Sequence, residues 1–324
     1  MAGASTWHLL DATVLVATYN QLDTTRLTLR ALFAQQTQYT YEVIVCDDGS
    51  DAATVGALRD VLESAPVPAH LAWQQDRGFR LAASRNNGIR LARGRIVIML
   101  DGDLLPEADF VQCHVEAHVH DRVIAVGQRL WRDPSALPSL DNDMESLWEL
   151  LRSEQTSSNR HTRFRQATEM LYRHYLWKLQ PWMTCYGCNI SVTKSDLIEF
   201  DESFTDWGNE DYDLFYGLTA VHGYEVSVIH AVTYEVEGKA KDWKQADYLA
   251  HLRSGFRFFD KWSASGLRPE FAVPRYNLDP ETGLWQSTHM PVHGWASQDH
   301  AAYVETARRW LAENGSYPDS VAGA

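Results

Sequence analysis

The stretch Arg95-Ile96-Val97-Ile98-Met99-Leu100-Asp101-Gly102-Asp103 decides the fold. Its uninterrupted apolar run is typical of a strand that is buried on both faces, as in a parallel sheet covered by helices. The run leads directly into two carboxylates that are separated by a glycine. Because ligands bind at the carboxyl ends of the strands in such sheets, this segment predicts a central strand with an acidic site at its end.

The flanking sequence repeats an alternation of strand and helix. From residue 13 to about residue 126, short β-branched runs alternate with stretches of helical spacing, which predicts βαβ units. Before the central strand we predict strands at 13–17, 41–46 and 70–74 and helices at 21–36, 52–64 and 84–93. The predicted fold is therefore α/β: a Rossmann-like, mostly parallel sheet flanked by helices.

The composition excludes several classes of protein. With 324 residues, 45% hydrophobic and 22% charged, the chain can bury a substantial core and is neither disordered nor fibrous. Its 29 basic and 43 acidic residues give a net charge of -14, which disfavours binding to nucleic acid or anionic lipid. Four cysteines are too few for a disulfide scaffold, no apolar run approaches the ~20 residues of a transmembrane span, and no Lys or Arg precedes the first strand. We therefore expect a soluble, cytoplasmic protein.

The remaining sequence predicts additions to this core. Residues from about 135 to 180 carry charges and aromatic rings without strand alternation, which predicts a helical insert. Strand character returns at 189–192 and 225–230, so the main domain is expected to cover residues 1–238. Residues 239–324 form a Trp-rich C-terminal extension, which is a candidate surface for a homodimer.

Three of the predicted strands end in acidic or polar residues, at Ala17-Thr18-Tyr19-Asn20, Asp47-Asp48-Gly49-Ser50 and Asp101-Gly102-Asp103. Carboxylates gathered at one sheet edge repel one another, and a divalent cation or a cationic ligand would offset that repulsion. Asp101 and Asp103 project to the same side of an extended chain, roughly 6.6 Å apart, and such an all-oxygen site suits Mg²⁺ or Mn²⁺. The alternative is a solvated Asp-Gly-Asp turn.

The second acidic segment and the arginines after it are typical of a nucleotide site. One carboxylate of the Asp47-Asp48 pair is placed to accept a hydrogen bond from a uracil N3–H or a ribose hydroxyl; otherwise the segment is an ordinary turn. Arg77, Arg80 and Arg85 lie just before or within a predicted helix N-terminus, itself an anion site. They supply positive charge for a diphosphate in a protein that is otherwise acidic.

A further acidic segment lies downstream, at Phe200-Asp201-Glu202 and Trp207-Gly208-Asn209-Glu210-Asp211. Glu210 and Asp211 open a predicted helix, where the helix dipole by itself also favours negative charge. The Trp207-Gly208 pair before them is able to form the wall of a sugar site, and Trp182 is a second candidate for that wall.

Taken in order, these motifs resemble those of the family 2 glycosyltransferases with the GT-A fold. The similarity is to the branch that contains bacterial chondroitin polymerase domains and the catalytic domains of polypeptide N-acetylgalactosaminyltransferases and β-1,4-galactosyltransferases. It covers roughly residues 10 to 235. The motifs that carry it are Ala17-Thr18-Tyr19-Asn20, Asp47-Asp48-Gly49-Ser50, Arg85-Asn86-Asn87-Gly88, Asp101-Gly102-Asp103, Phe200-Asp201-Glu202 and Trp207-Gly208-Asn209-Glu210-Asp211.

The resemblance implies transfer of a sugar from a UDP-sugar donor to an acceptor hydroxyl, with inversion at the anomeric carbon and with Mn²⁺ or Mg²⁺ as cofactor. The acceptor would be a glycan, a polysaccharide or a small molecule. Residues of about 10–130 would form the nucleotide-binding half of the GT-A domain, and residues of about 180–238 would form the acceptor half.

The resemblance also implies roles for individual residues. Asp211 would be the general base, and Glu210 would bind the acceptor or orient the site. The metal would be held by Asp103, Asp101 and His230. The nucleotide would be contacted by Ala17, Tyr19, Asn20, Asp47, Asp48, Arg77, Gly78, Arg85, Asp101 and Gly102, with Tyr19 and Asp48 at the base and Arg85 near the diphosphate. Trp207, Gly208 and Trp182 would form the acceptor or sugar wall.

Three other functions are weighed against this interpretation. A sugar nucleotidyltransferase shares the sheet, the metal and the carboxylates, but it normally opens with a Gly-rich basic loop, where this chain has residues 18–23 without glycine. A glycoside hydrolase leaves the four aspartates at the strand ends unexplained. A non-catalytic carbohydrate-binding protein would keep the tryptophans and lose the base.

Two further motifs are interpreted as structural. Cys185 and Cys188 form a single C-x-x-C without a second pair, which favours structural thiols over a metal or redox site. His114 and His118 have helical spacing, but Val115 stands where a metalloprotease has its glutamate, so we predict helix-surface or core histidines.

Overall fold

The computed structural model describes residues 10–120, 122–132, 143–153, 181–236, 245–265, 276–278 and 285–287. The chain divides into two compact units. The first contains residues 1–205 and 210–240, and the second contains 206–209 and 241–324. Most of the helical insert predicted at 135–180 lies outside the described residues, and so do residues 299–314, for which the sequence pattern predicts a helix.

Eight strands of the first unit form one sheet. They are β1 (Leu10–Thr18), β2 (Tyr41–Asp47), β3 (Ala69–Trp73), β4 (Gly94–Asp101), β5 (Leu104–Pro106), β6 (Val123–Arg132), β7 (Asn189–Thr193) and β8 (Glu225–Val236). Their spatial order is β3-β2-β1-β4-β7-β6-β8-β5. The pairs among β3, β2, β1 and β4 are all parallel, and so is β6 with β8. Strand β7 is antiparallel to both β4 and β6, and β5 is antiparallel to β8, so the second half of the sheet is mixed.

The described helices of the first unit are α1 (Leu22–Phe33), α2 (Ala52–Glu63), α3 (Leu81–Leu91), α4 (Phe110–Glu116), α5 (Met144–Ser153) and α6 (Glu210–Tyr216). The prediction placed the start of α3 at residue 84, three residues too late. The difference arises because the amide of Arg80 donates to a carboxylate oxygen of Asp48, 2.7 Å away, which fixes the chain just before the helix.

The second unit contains one long helix, α7 (Gln245–Ala264), and an antiparallel pair of short strands, β9 (Tyr276–Leu278) and β10 (Trp285–Ser287). Within this unit Arg253 of α7 forms an ion pair with Asp206 at 2.7 Å, and the ring of His251 packs against Trp207. None of the helices in the described part of the chain is both long and apolar enough to pass through a lipid bilayer.

The sheet is covered on both faces, and the alternation of side chains along each strand separates two apolar cores. On one face Val14 and Ile98 pack with residues of α1, α2 and α4. On the other face Leu15 and Val97 pack with residues of α3 and α6. Full burial of each such side chain is worth about 1.5–3 kcal/mol, so the strands form a stable platform beneath the loops that follow them.

A buried polar cluster joins α4 to β7. Nδ1 of His114 and Nε2 of His118 each lie 2.8 Å from the Ser191 hydroxyl, and Nε2 of His114 lies 2.9 Å from Oδ1 of Asn189. Both histidines are buried, so of the two predicted alternatives, helix-surface or core, the structure shows the core. None of the four cysteines, all of which lie in the described part of the chain, forms a disulfide, and Cys185 and Cys188 are buried.

This cluster makes stability depend on pH. Burial lowers the pKa of His114 to about 3 and the pKa of His118 to about 4, below the value of about 6.5 in an unfolded chain. Between these values the unfolded chain binds more protons than the folded one. The stability contribution is therefore complete above pH ~6.5 and is lost progressively as the pH falls toward 4.

We predict that the melting temperature of His118→Gln falls less steeply than that of the wild type as the pH is lowered from 6.5 to 4.5. Differential scanning calorimetry across this range measures the slope. The matched control is His222→Gln, at an exposed histidine, which should keep the wild-type slope because solvent surrounds residue 222 in the folded and unfolded chain alike. Equal slopes for His118→Gln and the wild type would contradict the prediction.

Candidate active site

The ends of β1, β2 and β4 lie side by side, because Ala17 pairs with both Cys46 and Asp101 in the parallel register. The amide of Gly102 donates to the carbonyl of Ala17 at 2.8 Å. A Cβ atom at residue 102 would lie 2.9 Å from that carbonyl oxygen and 2.8 Å from the hydroxyl of Thr25. Glycine therefore allows the Asp101-Gly102-Asp103 segment to approach β1 this closely, as the sequence suggests.

Asp47 builds the turn after β2. Its Oδ1 accepts hydrogen bonds from the amides of Gly49 at 3.0 Å and Ser50 at 2.7 Å. Its Oδ2 is buried and has no hydrogen-bond partner among the described residues. Asp47 thus shapes the turn at the end of β2, and its contact with a nucleotide stays a prediction.

Asp48 joins the same turn to the loop after β3. Its Oδ1 accepts from the side-chain amide of Gln74 at 2.6 Å, and its Oδ2 accepts from the amide of Arg80. Burial raises the pKa of Asp48, while these two hydrogen bonds act in the opposite direction. Each oxygen keeps a second lone pair, and the contact of Asp48 with a base stays a prediction.

Tyr19 and Gly78 meet at Asp76. The Tyr19 hydroxyl donates to Oδ2 of Asp76 at 3.2 Å, and the Gly78 amide donates to Oδ1 at 2.9 Å. The ring of Tyr19 is 47% exposed, which leaves a face free for a base.

Asn20 has a φ of 50° and its backbone amide donates to the Ser50 hydroxyl, which joins the β1 and β2 loops. Arg77 is exposed in the same loop as Gly78.

Arg85 lies at the centre of the acidic residues. Its side chain, on α3, is 3% exposed. Its Nη2 donates to Oδ1 of Asp101 at 3.0 Å, and its Nη1 donates to Oε1 of Glu210 at 3.1 Å. Although burial alone would lower the pKa of Arg85, the charges of Asp101 and Glu210 raise it. The guanidinium thus bridges one carboxylate at the end of β4 and another at the start of α6.

The backbone of Gly187 extends this bridge to Asp211. The Gly187 carbonyl accepts from Nη2 of Arg85 at 3.2 Å, and the Gly187 amide donates to Oδ2 of Asp211 at 3.1 Å. A Cβ atom at this residue would lie 2.7 Å from Nη1 of Arg85. Only glycine lets the backbone come this close to the guanidinium.

Glu210 and Asp211 carry the strongest electrostatic perturbation of the site. Burial, together with the charge of Asp211, raises the pKa of Glu210 to about 7, and the nearby Arg85 acts against this. Burial also raises the pKa of Asp211, opposed by Arg85 and by the hydrogen bond from the Gly187 amide. Oε2 of Glu210 is buried without a hydrogen-bond partner among the described residues. Paired carboxylates in such an environment are typical of proton transfer.

Asp101 and Asp103 are the carboxylates that the sequence predicts to hold a divalent cation. Burial and the charge of Asp101 raise the pKa of Asp103 to about 6, which Arg129 partly offsets. The two carboxylates therefore hold negative charge that the protein only partly neutralises. A cation that takes its other ligands from water and a diphosphate suits such a pair. In the described part of the chain, no three His, Cys, Asp or Glu side chains form a metal site by themselves.

His230 does not join these two aspartates. It is exposed on β8 and lines a separate cavity with Glu107, Arg132, Arg152 and Tyr234. Its predicted role as a third metal ligand stays a prediction.

The tryptophans predicted for the sugar wall have different surroundings. Trp182 is 3% exposed and packs edge-on against Tyr212 and Tyr216 of α6, which are the contacts of a residue that supports this helix. Trp207 is 44% exposed and belongs with Gly208 to the second unit. Their contact with a sugar stays a prediction.

Two features of the site were missed at the sequence level. The first is Gly187, since nothing in the residues before β7 indicates a contact with α3. The second is the brace formed by Asn86, whose side chain exchanges hydrogen bonds with the backbone of Phe200 and donates to Glu202 at 3.0 Å. The motif segments containing Asn86 and Phe200 were both identified, but their separation of 114 residues hides the contact.

Comparison with known proteins assigns this site to a family. The sequence pattern of Glycosyl transferase family 2 matches residues 13–179, which is more than half of the chain. The chain belongs to this family. The resemblance carried by the motifs is therefore confirmed.

Relatives of this family 2 glycosyltransferase include synthases of polysaccharides and a glucosyltransferase. The chain is 32% identical over 242 residues to the chondroitin synthase of Escherichia coli, covering 71% of this chain and 35% of the synthase. It is 30% identical over 322 residues to the validoxylamine A glucosyltransferase of Streptomyces hygroscopicus subsp. jinggangensis, covering 94% of this chain and 72% of that enzyme. The chain thus spans about a third of the first relative and most of the second.

Solved structures confirm the GT-A fold of this glycosyltransferase. The mannosyltransferase of Pyrobaculum calidifontis superimposes with a TM-score of 0.54 at 20% identity, covering 95% of this chain and 77% of that one. GalNAc-T7 superimposes with a TM-score of 0.51 at 14% identity, covering 95% of this chain and 58% of that one.

We predict that Gly187→Ala displaces the Arg85 guanidinium and lowers the rate of glycosyl transfer by about 100-fold, the effect expected of a misplacement near 1 Å. Initial-rate assays measure the loss. The matched control is Gly56→Ala in α2, where a Cβ atom meets no other atom within 4 Å. That variant should keep the wild-type rate, and equal rates for both variants would contradict the prediction.

Proposed function

We propose that this chain is a metal-dependent, inverting glycosyltransferase that moves a sugar from a UDP-sugar to a hydroxyl of a glycan, a polysaccharide or a small molecule. The observation that carries the proposal is the bridge that Arg85 forms between Asp101 at the end of β4 and Glu210 at the start of α6. Asp101 and Asp103 come from the end of β4, and Glu210 and Asp211 come from the start of α6. Asp101 and Asp103 would act on the leaving diphosphate, and Glu210 and Asp211 would act on the attacking hydroxyl of the acceptor.

The nucleotide would bind at the ends of β1 and β2. The half-exposed ring of Tyr19 and the carboxylates of Asp47 and Asp48 offer stacking and hydrogen-bond acceptors for a uracil and its ribose. Ala17, Asn20, Arg77, Gly78 and Gly102 complete this edge. The proposal is supported by solved structures of the same fold that contain nucleotide sugars, GDP-Man in the mannosyltransferase and UDP-GlcNAc in TarS.

The metal would be held by Asp101 and Asp103, with its other ligands from water and the diphosphate, because His230 lines a separate cavity. When bound, Mn²⁺ or Mg²⁺ supplies positive charge that stabilises the departing diphosphate. The structures of the mannosyltransferase and of GalNAc-T7 contain Mn²⁺, which supports a divalent cation here.

Asp211 would act as the general base. The acceptor oxygen attacks the anomeric carbon while the bond from that carbon to the diphosphate oxygen breaks, and the acceptor proton passes to the Asp211 carboxylate. In-line attack inverts the anomeric centre. Burial raises the pKa of Asp211, which brings its proton affinity closer to the working pH of a base. Glu210 would bind the acceptor or orient the site through its bond to Arg85.

The proposal is tested first by binding and turnover. UDP together with Mn²⁺ should raise the melting temperature of the protein, because a ligand that binds only the folded state stabilises it. A panel of UDP-sugars assayed for metal-dependent hydrolysis then identifies the donor. Absence of both a thermal shift and any turnover would overturn the proposal, and a shift without turnover would indicate a binding protein.

We predict that Asp211→Asn keeps the thermal shift with UDP and Mn²⁺ and lowers kcat by about 10²–10⁴-fold, the usual contribution of a general base. Thermal melting and initial-rate assays measure the two effects on the same samples. Asp60→Asn, at an exposed aspartate of α2, is the control and should leave both unchanged. Full activity of Asp211→Asn would rule out Asp211 as the base.

A further inference from the structure

We propose that Arg85 is a positioning residue that holds Asp101, Glu210 and, through Gly187, Asp211 in one fixed array, and that it does not contact the diphosphate of the donor. The sequence alone placed Arg85 near the diphosphate as a binding residue. This inference rests on the proposed function and assigns a different task to one of its residues.

The first observation is how the guanidinium is enclosed. Arg85 is 3% exposed, and its Cζ lies 5.6 Å from the centre of the Phe200 ring. Both η nitrogens donate to protein acceptors. By contrast, Arg77 is exposed and Arg80 is partly exposed at the start of α3, so these two offer a donor the accessible positive charge.

The second observation is the electrostatic need for a cation at this position. Asp101 and Asp211 each raise the pKa of Glu210, which shows that the charges of the carboxylates act on one another. Arg85 lies between Asp101 at 3.0 Å and Glu210 at 3.1 Å. Without it, the buried carboxylate of Glu210 would lie near the part-exposed carboxylate of Asp101 with no counter-charge, which is destabilising.

The third observation is that the geometry requires a guanidinium. Asp101 and Glu210 are bound by different η nitrogens, and the Gly187 carbonyl shares Nη2. A planar fork with separate donors satisfies this arrangement, whereas the single ammonium of lysine at the end of a flexible chain does not. The fork thus fixes the separation of the carboxylates at the end of β4 and at the start of α6.

A double-mutant cycle in stability tests the array without any substrate. Arg85→Gln should lower the melting temperature, because Glu210 loses its counter-charge. Adding Glu210→Gln should recover part of that loss, because the unpaired charge is removed. The matched control is Arg90→Gln, one turn further along α3, where the arginine is 49% exposed and pairs with Glu199 and Glu202. The losses of melting temperature from Arg90→Gln and Glu210→Gln should be additive, with no recovery in the double mutant. If the losses from Arg85→Gln and Glu210→Gln are also additive, the proposal is overturned.

Kinetics separate positioning from donor binding. Arg85→Gln should lower kcat by about 100-fold, which is the effect of a misplacement near 1 Å. The KM for the UDP-sugar and the Kd of UDP with Mn²⁺ should stay nearly unchanged. If Arg85 instead binds the diphosphate, the loss of a charged hydrogen bond weakens UDP binding by at least about tenfold, which overturns the proposal. Arg90→Gln should keep the wild-type kcat.

Arg85→Lys keeps the proposal testable if Arg85→Gln does not fold. Arg85→Lys should have a higher melting temperature than Arg85→Gln, because it keeps the positive charge. It should still lose most of kcat, because lysine lacks the planar fork of the guanidinium. Wild-type kcat in Arg85→Lys would overturn the proposal. If the wild type itself transfers no sugar, the proposed function fails, while the stability cycle still decides whether Arg85 couples to Glu210.

Discussion

The acidic site depends on the compensation of its charge by the buried guanidinium of Arg85. The carboxylate of Glu210 is buried next to that of the part-exposed Asp101, and a cation between them offsets their repulsion. Arg85 provides it and also reaches the Gly187 carbonyl. Its bonds join the end of β4, the segment before β7 and the start of α6, which are far apart in the chain.

Close backbone approach is the second constraint on the site. Gly102 lies against β1 and Gly187 lies against Arg85, at distances that a Cβ atom does not tolerate. The backbone amides at these positions also bind Ala17 and Asp211. The carboxylates are therefore oriented by the main chain as well as by side chains, which reduces their freedom before any substrate binds.

The frame beneath the site is a sheet that is covered by helices on both faces. Parallel strands bring the ends of β1, β2 and β4 to one edge. The antiparallel strand β7 follows Gly187 directly and pairs with β4. The Asn86 brace ties α3 to Phe200, so the helix that carries Arg85 is also anchored to the segment before α6. The fold as a whole is shared with GT-A glycosyltransferases of low sequence identity.

The sequence by itself determined the parallel half of the sheet, the family and the strand ends that carry Asp47, Asp48, Asp101 and Asp103. These features are local: an apolar run predicts a buried strand, and parallel strands bring their carboxyl ends together. The start of α3 was placed too late, because the bond that fixes it comes from Asp48 in another loop.

Only the tertiary structure decided how the two acidic pairs are held together. The sequence shows that Arg85 is positively charged, but not that it is buried between Asp101 and Glu210. Likewise, no local pattern reveals that Trp182 packs inside against α6 or that Gly187 touches α3. Such contacts join segments that are far apart in the chain, from about 30 residues for Trp182 and α6 to 125 for Arg85 and Glu210, and local propensity and periodicity carry no information about them.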